Sequence, residues 1–287
     1  MSSIRRIGAR EFDFDRQVAV MAVVNRTPDS FYDKGATFAL DKAVEASLRA
    51  AADGADWVDV GGVPFGRGPV VTVDEEIERV VPVVEAIARA SDVVISVDTT
   101  SAEVARRSIV AGAGVINDTS GMWDADMVGV IADSDATLVI THSIGPPRSA
   151  PPSPQYTDIV AEVAAFLQER VDRAVAGGVP LERLILDPGH DLNKNTFHSL
   201  ELTRRLAEIV ALGLPVLAAV SNKDFVGESI DREQGQRLEG SLAAAVVSIM
   251  KGARIVRMHD IPESVAAVRM TEAILGMRPP AWTKHNI

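Results

Sequence analysis

The sequence contains no cysteine. That absence excludes disulfides, zinc–thiolate sites and cysteine nucleophiles together, and it fits a cytoplasmic protein. Positive charge is also in short supply. The formal net charge is −11, which repels a phosphate backbone and argues against nucleic-acid binding, while a small anionic ligand needs only local positive charge. No apolar run is long enough to span a bilayer. The opening stretch, MSSIRRIGAREFDFDRQ, has no apolar h-region, so no signal peptide is expected. His142, His190, His198, His259 and His285 lack metal-ligand spacing and read mostly as hydrogen-bonding residues. GGVPFGRG (61–68) is glycine-rich but lacks the Gly-Lys-Ser/Thr of a phosphate loop, and no G-x-S-x-G elbow occurs. Trp57, Trp123 and Trp282 read as packing residues rather than stacking platforms.

What is present is an ordinary globular composition, 47% hydrophobic and 24% charged over 287 residues. Short valine- and isoleucine-rich runs recur at 18–24, 57–60, 93–98, 114–118, 137–142, 183–187, 215–221 and 254–259. Both faces of each run are largely apolar, the signature of buried parallel strands covered by helices on one side. Segments of helical period lie between them, at 41–53, 74–90, 101–111, 159–176, 200–212, 237–251 and 264–274. Thr72-x-x-Glu75 and Thr100-x-x-Glu103 have capping-box spacing. Pro262 suits the first turn of the last helix. Gly54, Gly112, Gly177 and Gly252 follow helices, where a left-handed cap is wanted.

Eight strands alternating with about eight helices is the count of a (β/α)8 barrel, the TIM barrel of the α/β class, which takes about 250 residues. A doubly wound open sheet is the rival, but it usually carries a glycine fingerprint after the first strand, and here that strand ends in NRTPDSF. The expectation is one domain over 1–287, with the barrel at about 18–277. The Pro-rich stretch at 145–154 follows the fifth strand and reads as a long loop rather than a linker.

Nearly every run ends in a polar residue: Asn25, Asp59, Asp98, Asn117, His142, Asp187, Ser221 with Lys223, and Arg257 with His259. In a barrel these strand ends converge on one mouth, where catalytic residues sit. Polar residues also simply mark where strands become loops. Asp118 reads as a turn cap.

NRTPDSF after the first strand, SVDT after the third, IND after the fourth, DPG after the sixth, SNKDFVG after the seventh and RMHD after the eighth resemble, in order and from about Met21 to Asp260, the motifs of dihydropteroate synthase. The resemblance implies a pterin-binding TIM barrel, magnesium as cofactor and a homodimer. It implies condensation of a pterin pyrophosphate with p-aminobenzoate, pyrophosphate leaving first and the amine attacking a pterin-stabilised cation. By position it assigns the pterin to Asp98, Asn117, Asp187 and Lys223, with Ser221 beside them. It gives the pyrophosphate to Asn25 with magnesium and to Arg257 and His259, and gives Asp29 an organising role.

The second loop departs from the pattern. Where the family reads close to GGESTRPG, this chain reads GGVPFGRGP, so Val63, Pro64, Phe65 and Gly66 stand in place of Glu, Ser, Thr and Arg, and Arg67 comes one place late. The resemblance gives the Thr and Arg contacts to pyrophosphate and to the p-aminobenzoate site. Losing one charge-assisted hydrogen bond costs about 1.5–3 kcal/mol, roughly ten- to a hundredfold; Arg67 is the residue able to restore part of it. DPGxGFGK reads DPGHDLNK, which introduces Asp191, Leu192 and Asn193. SRKSF reads SNKDF, which introduces Asn222 and Asp224. The fifth-strand MHM-like segment reads THS, giving the pterin less apolar cover. Added carboxylates are expected to weaken an anionic p-aminobenzoate by repulsion. Three readings follow: an impaired synthase, a non-catalytic pterin- or small-molecule-binding paralogue, and a transferase with another acceptor. Pterin-binding methyltransferases fit poorly, because they lack the NxTPDSF loop.

Overall fold

The computed structural model describes residues 3–25, 35–63, 70–147 and 155–285. A short antiparallel hairpin comes first, β1 (Ile4–Ile7) and β2 (Arg10–Asp13). Eight parallel strands follow: β3 (Ala19–Asn25), β4 (Trp57–Gly61), β5 (Val94–Asp98), β6 (Val115–Asp118), β7 (Thr137–Thr141), β8 (Leu184–Asp187), β9 (Leu217–Ala218) and β10 (Ile255–Met258). They run β8-β7-β6-β5-β4-β3-β10-β9 around the sheet. The parallel bridge Leu186–Val216 joins β8 to the start of β9 and closes the ring. This is the expected (β/α)8 barrel.

The helices are α1 (Gly35–Ala52), α2 (Val73–Ala90), α3 (Ala102–Ala111), α4 (Met127–Ala132), α5 (Ile159–Ala176), α6 (Thr196–Arg204), α7 (Leu206–Val210), α8 (Asp224–Ile230), α9 (Leu238–Met250) and α10 (Ile261–Ile274). The periodic stretch at 200–212 is therefore two helices, while α4 and α8 are too short to show a period. Thr72 and Glu75 form the expected capping box of α2. At α3 the cap is Ser101, whose side chain accepts from Val104 N–H, rather than Thr100. Pro262 falls in the first turn of α10. Gly177 has φ −83°; the left-handed position after α5 is Gly178, at φ 96°, one residue later than expected.

Strand periodicity sorts the core into two layers. Val20, Ala22, Val58, Val60, Ile95, Val97, Ile116, Leu138 and Ile140 face the helices. Residues of the opposite parity, Ala19, Met21, Trp57, Val94, Val115, Val139, Ile185, Leu217 and Ile255, fill the barrel with Ile7, Phe12 and Phe14 from the N-terminal segment. Phe12 meets Trp57 edge to face at 5.7 Å. The hairpin, which lies outside the eight valine- and isoleucine-rich runs, thus plugs the N-terminal end of the barrel. Trp57 packs as expected; Trp123 and Trp282 do not, being 56% and 71% exposed.

Candidate functional site

The apolar filling stops partway up the barrel. Two residues beyond each inward hydrophobe of β4, β5, β6, β8 and β10, the same parity carries Asp59, Ser96, Asn117, Asp187 and Arg257. Successive residues of a strand alternate faces, so these side chains share the interior. Asp59, Ser96, Asn117 and Arg257 are hydrogen-bonded to one another. Asp59 is fully buried and accepts from Arg257 Nε at 2.7 Å, from Asn117 Nδ2 at 3.0 Å and from Ser96 Oγ. Arg257 Nη2 also reaches Asp98 at 3.3 Å, one level higher. Thr119 Oγ1 donates to the other Asp98 oxygen at 3.3 Å. Asp187 accepts from Gly189 N–H at 2.7 Å.

The electrostatics follow from this geometry. Asp98 is pushed up to about 7 by burial and by the neighbouring Asp59 charge, against the pull of Arg257. Burial also raises Asp187. Burial works against the charge on Arg257, but Asp59 and then Asp98 outweigh it and hold the guanidinium charged. Lys223 is lowered by burial and by Arg257, with Asp191, Asp187 and Asp98 opposing. Asn117 Oδ1 is buried without a hydrogen-bond partner. An interior lined by carboxylates, an amide and two cations can match a flat heterocycle that has both N–H donors and acceptor atoms.

His259 follows β10. Its own backbone N–H donates to Ser221 Oγ at 3.2 Å, and its Nδ1 shares a hydrogen bond with the same Oγ at 3.0 Å, so Ser221 fixes the ring from both its main chain and its side chain. Burial, then Arg257 and Lys223, holds the ring near 4, so His259 is a neutral N–H donor at physiological pH. Such a donor can still bind an anion.

The structure thus brings Asp98, Asn117, Asp187, Ser221, Lys223, Arg257 and His259 to one end of the barrel. Asn25 ends β3 in register with Gly61, and its side chain lies outside the described residues, as do Asp29, Pro64, Phe65, Gly66 and Arg67. Among the described side chains, His142 is the strand-end residue that leaves the ring. It has helix-facing parity, its ring sits against Phe166 of α5 at 4.7 Å, and Lys194 Nζ donates to its Nδ1 at 2.8 Å. Burial and the Lys194 charge hold His142 down near 2. Lys194 also donates to the Gly189 and Leu192 carbonyls at 2.9 and 2.8 Å, which uses all three of its protons and pins the loop after β8. Burial lowers Lys194 to about 7.

The sequence places Asp59 among the polar strand ends but gives it no partner there; its role as the carboxylate that holds Arg257 and Asn117 emerges from the structure. Lys194 has no local mark in the sequence. Asp118 is the expected turn cap, accepting from Ser120 and Met122 N–H at 2.8 and 2.9 Å. The added carboxylates are not unaccompanied. Asp224 pairs with Arg237 at 3.0 Å, and Asp191 accepts from Ser199 Oγ and Phe225 N–H.

Residues 21–259 match the family described as "Pterin binding enzyme". The chain is 47% identical over 274 residues to the Mycobacterium tuberculosis protein named "Inactive dihydropteroate synthase 2", covering 93% of this chain and 86% of that one. It is 40% identical over 260 residues to the dihydropteroate synthase of Escherichia coli, covering 90% and 92%. The solved structure of Xanthomonas albilineans dihydropteroate synthase with 4-aminobenzoic acid superposes with a TM-score of 0.88 at 37% identity, over 96% of this chain and 99% of that one.

Proposed function

This chain belongs to the pterin-binding enzymes as a dihydropteroate synthase homologue, and on that premise we propose that it binds a pterin pyrophosphate while turning over weakly or not at all as a synthase. The observation that carries the reading is the interior grouping of Asp98, Asn117, Asp187, Lys223 and Arg257, the residue types that the pterin half calls for, together with a second-loop sequence that lacks the hydroxyls and the arginine of the synthase pattern. The name of the 47%-identical mycobacterial relatives points the same way.

Within this reading Asp98, Asn117 and Asp187 hold the ring, Lys223 serves a ring acceptor, and Ser221 fixes His259. His259 and Arg257 face the pyrophosphate, with Arg67 from the second loop and Asp29 from the first. Magnesium fits the donor set. It is typically bound through one or two protein oxygens with the rest of its shell from phosphate and water, and among the described residues no cluster of His, Asp or Glu would hold a metal alone. Asn25, ending β3 at the mouth, is the residue we assign to it; magnesium would neutralise charge on the leaving pyrophosphate.

A homodimer is part of this reading, and α9 and α10 are where we place its face: Val247 and Met250 of α9, Met270 and Ile274 of α10 and Leu275 after it are apolar residues 41% to 70% exposed. No described helix is long and apolar enough to cross a membrane, and the cysteine-free composition supports a cytoplasmic location.

The test has two arms. Calorimetric titration with pterin pyrophosphate and magnesium should show binding; its absence from folded protein would sink the pterin reading. Pyrophosphate release should rise little when p-aminobenzoate is added. Release at the rate of an active synthase would show the second loop to be competent.

A further inference from the structure

The loop between β8 and α6 holds two non-glycine residues in left-handed backbone, Asp191 at φ 64° and Asn193 at φ 54°. That conformation is unfavourable for side-chain-bearing residues, and Asp and Asn tolerate it best. Each side chain ties the loop to a different neighbour. Asn193 Oδ1 accepts from Ile144 N–H at 2.6 Å and Ser143 Oγ at 3.1 Å, on the β7 side. Asp191 turns the other way. Its Oδ1 accepts from Ser199 Oγ at 3.0 Å, and its Oδ2 accepts from Phe225 N–H at 3.3 Å. Phe225 lies two residues beyond Lys223, and its ring stacks on His190 at 5.7 Å. The carboxylate therefore holds the main chain immediately after the site lysine.

We propose that Asp191 is a positioning residue for Lys223, fixing the segment that carries this ammonium and supplying a permanent negative charge beside it. The proposal rests on the reading that Lys223 touches the bound ligand. Among the charges around Lys223, Arg257 drives its proton off, together with burial, and Asp191, Asp187 and Asp98 oppose, with Asp191 the strongest of the three; Lys194 is a further cation coupled to it, and the His190 and His259 rings also face it. Asp187 and Asp98 are the carboxylates assigned to the ring. Asp224, next in sequence to Lys223, is held by Arg237. Asp191 is thus the carboxylate that can serve Lys223 without being drawn away by ligand.

The experiment follows Lys223 itself, by NMR titration of the full-length protein with 13C-dimethylated lysines, the signal assigned with Lys223→Arg. Asp191→Gly suits the left-handed backbone, which offsets part of the stability lost with the two carboxylate hydrogen bonds, so it should still fold. It should lower the Lys223 midpoint by about 1 pH unit and weaken pterin pyrophosphate about tenfold, the loss worth about 1.4 kcal/mol. Asp191→Asn keeps an acceptor and removes the charge, so it should lower the midpoint while losing less affinity. Asn193→Gly loosens the same loop on its other side and should leave the midpoint where it was. An unchanged midpoint in Asp191→Gly, or an equal change in Asn193→Gly, overturns the proposal. If the wild type binds no pterin pyrophosphate, the pterin reading fails, and the midpoint still decides whether Asp191 controls Lys223.

Discussion

Replacing Arg257 with methionine keeps much of the stem and removes the guanidinium. Asp59 has no exposed side-chain surface and lies 2.7 Å from Arg257 Nε. Breaking a buried pair by deleting one partner costs about 3–5 kcal/mol, because the other charge is left uncompensated. Asp59 keeps its bonds from Ser96 and Asn117, so the low end, about 3 kcal/mol, is expected at neutral pH. In a barrel of this size that lowers the melting temperature by about 6–12 °C. The loss should also depend on pH. Asp98, already pushed up to about 7, loses the Arg257 charge that pulls it down. A carboxyl with its folded value above its unfolded one contributes stability at low pH that is lost as pH rises through the folded value. The deficit of Arg257→Met should therefore be smallest near pH 4 and grow toward pH 8. Urea unfolding followed by circular dichroism at several pH values measures this. Asp59→Asn in the same background should recover at least about 1 kcal/mol, since the two residues are in direct contact. The reasoning fails if Arg257→Met stays within about 1 kcal/mol of wild type throughout, or if the double variant loses the sum of the singles.

Four further outcomes are expected. Grafting the synthase pattern over Val63–Gly68 should raise p-aminobenzoate-dependent pyrophosphate release by about ten- to a hundredfold, the value of one or two charge-assisted bonds; no gain would favour a binding-only paralogue. Pterin affinity should climb as pH rises to about 7 and level off above it, because a ring N–H needs the Asp98 carboxylate, and Asp98→Asn should flatten that profile in calorimetric titrations. Phe12→Ala, at the plug, should cost about 3–5 kcal/mol in denaturant unfolding without changing ligand affinity, since it sits at the opposite end of the barrel. Met250→Glu should halve the mass seen by light scattering, down to 30.6 kDa; a wild type already at that mass would refute the dimer face.

Much of this was legible without coordinates. Short runs rich in β-branched valine and isoleucine, alternating with longer segments of helical period, favour buried strands over helices, and polar residues placed just beyond them then lie at strand ends, so the barrel and seven of its mouth residues follow from local pattern. His142 shows the limit of that logic. It ends a strand like the others, yet it has the parity of Leu138 and Ile140 and turns to Phe166 in the helix layer.

The order of strands and helices, the composition of the mouth and the loss of the second-loop pattern are readable in the chain, because each depends on residues near one another in it. Tertiary structure alone decided which of those side chains neutralise one another. Arg257 and Asp59 stand 198 positions apart, and their contact exists only because the sheet closes. The same holds for Asp191 with Phe225, for Lys194 with His142, and for the seating of the N-terminal hairpin against Trp57 in the barrel. Closure brings distant charges into a medium of low dielectric, where pairing becomes obligatory and where a single carboxylate can set the state of its neighbour.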